Sequence, residues 1–186
     1  MKLYIALLRG INVSGHKIIK MELLRKAMAD SGFNNVSTYI QSGNILFQSN
    51  EKDPLVLEKQ IADIIKKHFT FDVPVIVITP DELKAVVHNN PYAEQKIHDS
   101  AQPYVAFLSE TPAPKAVSLL QSVDFGNDTI AYIGKALYLL YANSAADTKL
   151  SNAIIENKLK IRATTRNWKT VCKLIELSQN LLEGKL

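Results

Sequence analysis

Cysteine is almost absent from this chain, because Cys172 is the only one among 186 residues. A single thiol cannot form a disulfide within the chain, which excludes the small secreted folds that depend on one and favours a reducing compartment. Long apolar runs are also missing, since the N-terminus offers one lysine and then only residues 3–8 before Arg9. This run is too short for a signal peptide or a membrane span, so we expect a cytoplasmic protein without a membrane partner.

The usual signatures of metal and nucleophile chemistry are scarce as well. The histidines show no His-x3-His or Cys/His spacing, and the one ligand-like pair, Glu94 with His98, falls in a segment without periodicity. There is no Gly-x-Ser-x-Gly elbow and no pair of acids suited to general acid–base catalysis. The sequence therefore predicts neither a metal site nor a cofactor.

Gly10 to Lys17 approaches a phosphate-binding motif, as Gly-x4-Gly-His-Lys after an apolar strand. It differs from the P-loop because the lysine comes one position late and Ile18 follows where Ser or Thr would hold magnesium. This argues against nucleoside triphosphatase chemistry. Two glycines can still turn backbone N–H groups toward an anion beside Arg9 and Lys17.

The net charge of +4 is unevenly distributed. Residues 1–26 hold six Lys or Arg against one Glu, and residues 149–186 hold eight against three, so each end is +5 and the middle is −6. If the two ends meet in space, they form one cationic surface for an anionic partner. The alternative is a pair of solvated helix faces.

An apolar strand over residues 3–8 is the clearest element of the sequence. Both of its faces are apolar, which predicts a central strand covered on both sides. It is followed by a helix that ends before Gly32, a hairpin around residues 41–44, a helix capped by Asp53 and a strand at 74–78. This β-α-β-β-α-β order is that of the split βαβ, or ferredoxin-like, arrangement.

A capping box of Thr79 and Glu82 opens a helix to about His88 and marks the boundary between two halves. The second half repeats β-α-β-β-α, with Gly134-Lys135 as a type II′ hairpin turn and no obvious last strand. Two helices close it, at about 145–157 and 165–182, the latter with Thr164 as N-cap and Cys172 in the core. We predict an α+β fold of two ferredoxin-like halves packed together, residues 1–79 and 80–186.

Arg166 and Asn167 remain unexplained by this predicted last helix. A positive residue at a helix N-terminus opposes the macrodipole by some tenths of a kcal/mol, so Arg166 there indicates a nearby anion or carboxylate. A salt bridge to the acidic middle of the chain is the structural alternative.

Four motifs of this sequence together resemble a family of uncharacterised bacterial proteins, domain-of-unknown-function family 1697. They lie in order along nearly the whole chain, at residues 8–13, 41–44, 90–92 and 164–171. The resemblance implies a two-part α+β fold and carries no catalytic assignment. Where the family usually has Val-Gly-Gly, this chain has Val13-Ser14-Gly15, and Ser14 argues against a role that needs a further free backbone turn.

We predict a non-enzymatic binder of phosphate-bearing ligands, nucleic acid or nucleotide, acting through paired Arg-Asn motifs. An arginine fork matches phosphate oxygens two at a time, so Arg9 and Arg166 are expected to share one pocket. The alternative is an enzyme acting on a small anionic substrate, with these arginines as clamps and His16 as the base. In a third interpretation the motifs join the two halves by hydrogen bonds. The candidate ligand-binding residues are Arg9, Asn12, Lys17, Asn44, Arg166 and Asn167.

Overall fold

The computed structural model describes residues 1–92 and 102–185, which form eight strands and six helices. In chain order they are β1 (Lys2–Leu8), α1 (Met21–Asp30), β2 (Asn34–Tyr39), β3 (Asn44–Ser49), α2 (Pro54–Phe69), β4 (Val75–Ile78), α3 (Pro80–His88), β5 (Gln102–Leu108), α4 (Pro114–Gln121), β6 (Thr129–Ile133), β7 (Ala136–Tyr141), α5 (Asn152–Leu159), β8 (Ala163–Asn167) and α6 (Trp168–Leu182).

The chain divides into two compact units. Unit 1 comprises residues 1–83 and 174–186, and unit 2 comprises residues 84–173. The C-terminal residues 174–186 thus group with unit 1, although the sequence assigned all of 80–186 to the second half. Both units contain strands and helices, so the fold mixes α and β elements around two four-stranded antiparallel sheets.

The sheet of unit 1 has the strand order β2-β3-β1-β4, and every neighbouring pair is antiparallel. The predicted interior position of β1 is confirmed, because it pairs with both β3 and β4 and is buried from Leu3 to Leu8. Tyr4, Ala6 and Leu8 belong to one core cluster with the apolar faces of α1 and α2. This core holds the end of β1 in place, where the first candidate residues begin.

Local capping signals correctly predicted the starts of α2 and α3. The Asp53 side chain accepts from the Leu55 N–H, with Pro54 next to it in the first turn of α2. The capping box is also present: the Thr79 N–H donates to Glu82 Oε2 at 2.7 Å, and the Glu82 N–H donates to Thr79 Oγ1 at 3.2 Å.

The sheet of unit 2 has the order β6-β7-β5-β8. Strands β6 and β7 form the predicted hairpin, in which Ile133 pairs with Ala136 and Gly134 has a φ of +62°. A positive φ at Gly134 but not at Lys135 is what a type II′ turn requires, so that prediction is confirmed.

The predicted absence of a last strand in the second half is wrong. Residues Ala163–Asn167 form β8, which pairs antiparallel with β5, because Thr164 and Thr165 are β-branched and suit a pleated surface. The last helix therefore begins at Trp168. Its N-cap is Asn167, whose Oδ1 accepts from the Thr170 N–H at 2.8 Å, and Thr164 is a buried strand residue.

Two further details of the C-terminal helices differ from the prediction. Helix α5 begins after Ser151, whose side chain accepts from the Ile154 N–H, and so it starts later than residue 145. Cys172 is exposed and not in the core, because the buried positions of α6 are Thr170, Val171, Leu174 and Ser178, and Cys172 faces away from them. Across the described residues, no helix is long and apolar enough to cross a membrane.

Candidate functional site

The candidate site of unit 1 lies where β1 ends. We call residues 9–20 the first loop and residues 40–43, between β2 and β3, the hairpin turn. The Leu8 N–H donates to the Gly43 carbonyl at 2.8 Å, and the Arg9 N–H donates to the Pro74 carbonyl at 3.0 Å. Arg9 therefore leaves the sheet between the hairpin turn and the start of β4.

Asn12 joins the first loop to the hairpin turn through its side chain. Its Nδ2 donates to the Gln41 carbonyl at 2.8 Å and to the Ile19 carbonyl at 3.0 Å, and its Oδ1 accepts from the Ile19 N–H at 2.8 Å. The Asn12 backbone N–H also donates to the Lys17 carbonyl at 3.2 Å. Both side-chain donors are thus used within the protein, and Asn12 holds the backbone on which the charged residues stand.

The first loop contains an unusual density of left-handed backbone. Ser14 and Gly15 have φ values of +48° and +77°, and the His16 N–H donates to the Val13 carbonyl at 2.9 Å, which makes a tight type I′ reversal. Asn12 at +53° and Lys17 at +46° add two further side chains in a region that L-residues rarely adopt. Such conformations cost about 1–2 kcal/mol each and cluster at functional sites.

The hairpin turn is packed against the first loop at Gly43. This glycine has a φ of +80°, and a Cβ built on it would lie 2.6 Å from Leu8 Cβ and 2.9 Å from Ile11 Cδ1. No other residue type fits there without displacing its neighbours. Asn44, which follows it, is fully buried, and its Nδ2 donates to the Tyr39 carbonyl and to Ser42 Oγ, each at 3.1 Å.

The first loop itself carries four basic side chains. Arg9 and Lys17 are half-buried, whereas His16 and Lys20 are exposed. The Lys17 ammonium donates to the carbonyl of Asp72, an exposed residue. The hydrogen bond and charge of Lys66, 2.9 Å from Asp72 Oδ1, are the main causes that lower the pKa of Asp72, and Lys17 adds to them.

Apolar side chains are exposed beside these charges. Val13 is 56% exposed and Ile18 is 57% exposed, both in the first loop. Ile40, in the hairpin turn, is 49% exposed and has a φ of +50°. A β-branched residue in that conformation is a genuine outlier. The surface formed by the loop and the turn therefore combines cationic and aliphatic groups.

The second Arg-Asn motif belongs to unit 2 and differs from its prediction. Arg166 does not lie in the first turn of the last helix; it is a buried residue of β8, because residues 163–167 pair with β5. Its Nη1 donates to Thr164 Oγ1 and to the Thr165 carbonyl, each at 2.9 Å. Burial lowers the pKa of Arg166 to about 10. Since Arg9 belongs to unit 1, a pocket shared by the two arginines stays a prediction.

Within residues 1–92 and 102–185, no three His, Cys, Asp or Glu side chains are grouped so that they could hold a metal ion. The pair Glu94 and His98 lies outside the described residues. Asn90 and Tyr92, from the third motif, are described: Asn90 Oδ1 accepts from the Tyr92 N–H at 2.9 Å in a local turn, and Tyr92 is buried.

Comparison with known proteins identifies the family. Residues 1–138 match the model of a family described as "protein of unknown function (DUF1697)". The chain belongs to this family. No curated protein matches the sequence. Among solved structures, a conserved bacterial protein from Streptococcus pneumoniae is similar, with a TM-score of 0.74 over 95% of this chain and 98% of that one. At 23% identity this likeness shows a shared fold alone.

The structure brings four of the six candidate residues together. Arg9, Asn12, Lys17 and Asn44 all lie at one end of the unit 1 sheet, whereas Arg166 and Asn167 lie in unit 2. Sequence reasoning missed the contribution of Ile40 to the first of these surfaces. Its only sequence signal was an isoleucine directly before a polar turn, a pattern that also fits an ordinary strand end.

Proposed function

We propose that this protein is a non-enzymatic binder of phosphate-bearing ligands, nucleic acid or nucleotide, and that unit 1 makes the main contact. The supporting observation is the concentration of Arg9, His16, Lys17 and Lys20 on one loop that Asn12 fixes to the hairpin turn. A preorganised cationic loop lowers the entropic cost of binding an anion. We also propose the finer architecture: two ferredoxin-like units packed together, in a cytoplasmic protein.

The six candidate residues divide into two roles in this proposal. Arg9 and Lys17 contact the ligand, together with the exposed His16 and Lys20. Asn12, Asn44, Arg166 and Asn167 hold backbone, since their described contacts are with main-chain groups and neighbouring side chains. The paired motifs thus act mainly by positioning.

Backbone groups of the first loop add to the cationic side chains. Ser14 and Gly15 are exposed at the tip of the type I′ turn, next to His16. Exposed N–H groups near Arg and Lys are the ordinary means by which proteins bind phosphate without a P-loop. The aliphatic Val13 and Ile18 on the same surface favour a ligand larger than free phosphate, because their burial on binding stabilises the complex.

Fluorescence anisotropy with labelled single-stranded and duplex DNA and RNA, and competition by nucleotides, tests the proposal. If about four phosphates are neutralised, the slope of log affinity against log salt is roughly −3 to −4. We expect Lys17→Ala and Lys20→Ala each to weaken binding and to make that slope shallower by about one. Arg9→Lys should weaken binding although the charge is kept, because lysine lacks the bidentate fork.

The control for these variants must be a lysine that shares no contact partner with the basic residues of the first loop. Lys66 is unsuitable, because it pairs with Asp72, whose carbonyl accepts from Lys17. Lys59 on α2 is exposed, and within the described residues it forms its ion pair with Asp63, one turn away on the same helix, so Lys59→Ala should leave affinity unchanged. Absence of binding at low salt for every nucleic acid and nucleotide would exclude the proposed function. Turnover of a bound anion that is lost in His16→Ala would favour the enzyme alternative.

A further inference from the structure

The four edge strands of the two sheets differ in how far their outward backbone groups are blocked from pairing with another chain. Each four-stranded sheet has two edge strands, β2 and β4 in unit 1 and β6 and β8 in unit 2. An edge strand carries outward N–H and C=O groups that can pair with another chain, and proteins usually block them. Three of these edges carry a visible block.

Two edges are closed by a glutamate from the preceding helix. Glu58 of α2, itself buried, accepts from the Val77 N–H of β4 at 3.1 Å. Glu156 of α5 accepts from the Ala163 N–H of β8 at 2.9 Å, and Arg166 donates to the carbonyl of Thr165 on the same edge. In both units, a glutamate from the preceding helix thus occupies one outward N–H of the corresponding strand.

The third edge strand, β2, contains a β-bulge that breaks its regular pairing. Its register with β3 shifts between Asn34 and Ser37, and Asn35 within this bulge has a φ of +49°. A bulge twists an edge away from regular pairing. Its exposed residues at this end are also polar asparagines.

The fourth edge, β6, carries none of these devices. Its residues are Thr-Ile-Ala-Tyr-Ile, without charge, proline or bulge, and its register with β7 is continuous. Because the two-residue turn closes at Ile133 and Ala136, the backbone groups of Ile130 and Tyr132 face away from β7. Within the described part of the chain, no hydrogen bond to these outward groups is present.

We propose that β6 is the surface through which two copies of this chain associate, by antiparallel pairing of β6 with β6. A register centred on Ala131 places Ile130 opposite Tyr132 of the second copy, so that about four backbone hydrogen bonds form. Aromatic and β-branched residues are a favourable cross-strand pair. Lys135, just after the strand, then lies near Asp128, just before the strand of the second copy. The Asp128 carboxylate accepts from the Ala142 N–H and the Thr148 hydroxyl of its own chain, and these neutral donors leave its charge to complement that of Lys135 at both ends of the pair.

The pairing surface is small, so the dimer is weak. A five-residue strand edge with its side chains covers less than the roughly 1,200 Å² typical of stable interfaces. We therefore expect reversible, concentration-dependent dimerisation. This inference is independent of the proposed anion-binding function, because it rests on unit 2 alone.

Sedimentation velocity from about 10 µM to about 1 mM should show the mean mass of the wild-type protein rising toward that of two chains. Thr129 and Ile133 are both exposed, and they face each other across the proposed pair. We expect the double variants Thr129→Lys with Ile133→Lys, and Thr129→Glu with Ile133→Glu, to stay monomeric. The mixed variant, Thr129→Glu with Ile133→Lys, should dimerise at least as well as wild type, because opposite charges then meet.

A cysteine cross-link tests the register directly. In a Cys172→Ser background, which removes the native thiol, Ala131→Cys should form a disulfide-linked dimer under mild oxidation, because residue 131 lies opposite itself. Thr129→Cys in the same background should link far less. The proposal is overturned if the wild-type protein stays monomeric over the whole concentration range, even if the β6 edge binds a peptide. It is also overturned if all three charge variants dimerise equally, or if both cysteine variants form the disulfide-linked dimer equally.

Discussion

Replacing Gly43 by alanine is the sharpest test of how the first loop is built. The left-handed φ costs about 1–2 kcal/mol for a residue with a Cβ. Contacts of 2.6 Å to Leu8 Cβ and 2.9 Å to Ile11 Cδ1 add an overpacking cost of about 1–3 kcal/mol. Alanine also reduces the entropy of the unfolded chain, which offsets about 0.4–1 kcal/mol. We expect a net loss of about 3 kcal/mol in the free energy of unfolding.

Urea unfolding followed by far-UV circular dichroism measures this loss, and Gly10→Ala is the matched control. Gly10 lies in the first loop, against which the hairpin turn packs, and has a φ of +67°, but a Cβ there would meet no atom within 4 Å. The control therefore retains the backbone cost and lacks the steric one, so the two variants should differ by about 2 kcal/mol. Equal losses within about 0.5 kcal/mol would refute the argument that close packing at Gly43 holds the hairpin turn.

Three other perturbations probe single contacts. Asn12→Asp keeps the acceptor for the Ile19 N–H but loses both donors, so we expect a loss of about 1–2 kcal/mol in urea unfolding, with Asn12→Ala costing about 1 kcal/mol more. Glu58→Leu leaves the buried Val77 N–H without this acceptor and should cost about 1–3 kcal/mol, whereas Glu58→Gln should cost less. Burial raises the pKa of Tyr138 to about 12 from 10.0. The contribution of the protonated phenol to the free energy of unfolding is therefore complete below pH 10 and is lost as the pH rises through 12. Tyr138→Phe should make the free energy of unfolding fall less steeply over this alkaline range.

Local sequence signals predicted the elements of unit 1 well, because those elements depend on nearby residues. Alternation over residues 3–8 and the caps at Asp53 and Thr79 each involve contacts within a few positions. Strand β8 was missed for the opposite reason. Its residues, Ala-Thr-Thr-Arg-Asn, show no apolar alternation, and the strand exists because β5, more than 50 positions earlier, offers an edge to pair with.

The same distinction applies to the candidate site. The first loop was recognisable from its glycines and charges, but the role of Asn12 depends on the Gln41 carbonyl, 29 positions away. The predicted helical position of Arg166 was wrong because the helix start was placed at residue 165, within β8, instead of after that strand. In both cases the deciding partner was distant in sequence, and no local pattern specifies such a partner.

The block at β8 has a consequence for the kind of assembly that unit 2 allows. A sheet with one open edge can add a single neighbour, and two such sheets related by a twofold axis complete each other and stop. A sheet open at both edges adds a neighbour on each side, and each neighbour adds another, so that growth has no natural end and leads to fibres. Glu156 accepts from the Ala163 N–H and Arg166 donates to the Thr165 carbonyl, so two of the outward backbone groups of β8 are already used. Among the described residues, no hydrogen bond to the outward groups of β6 is present. In the proposed pairing through β6, the side chains of Glu156 and Arg166 therefore favour a dimer over a fibre.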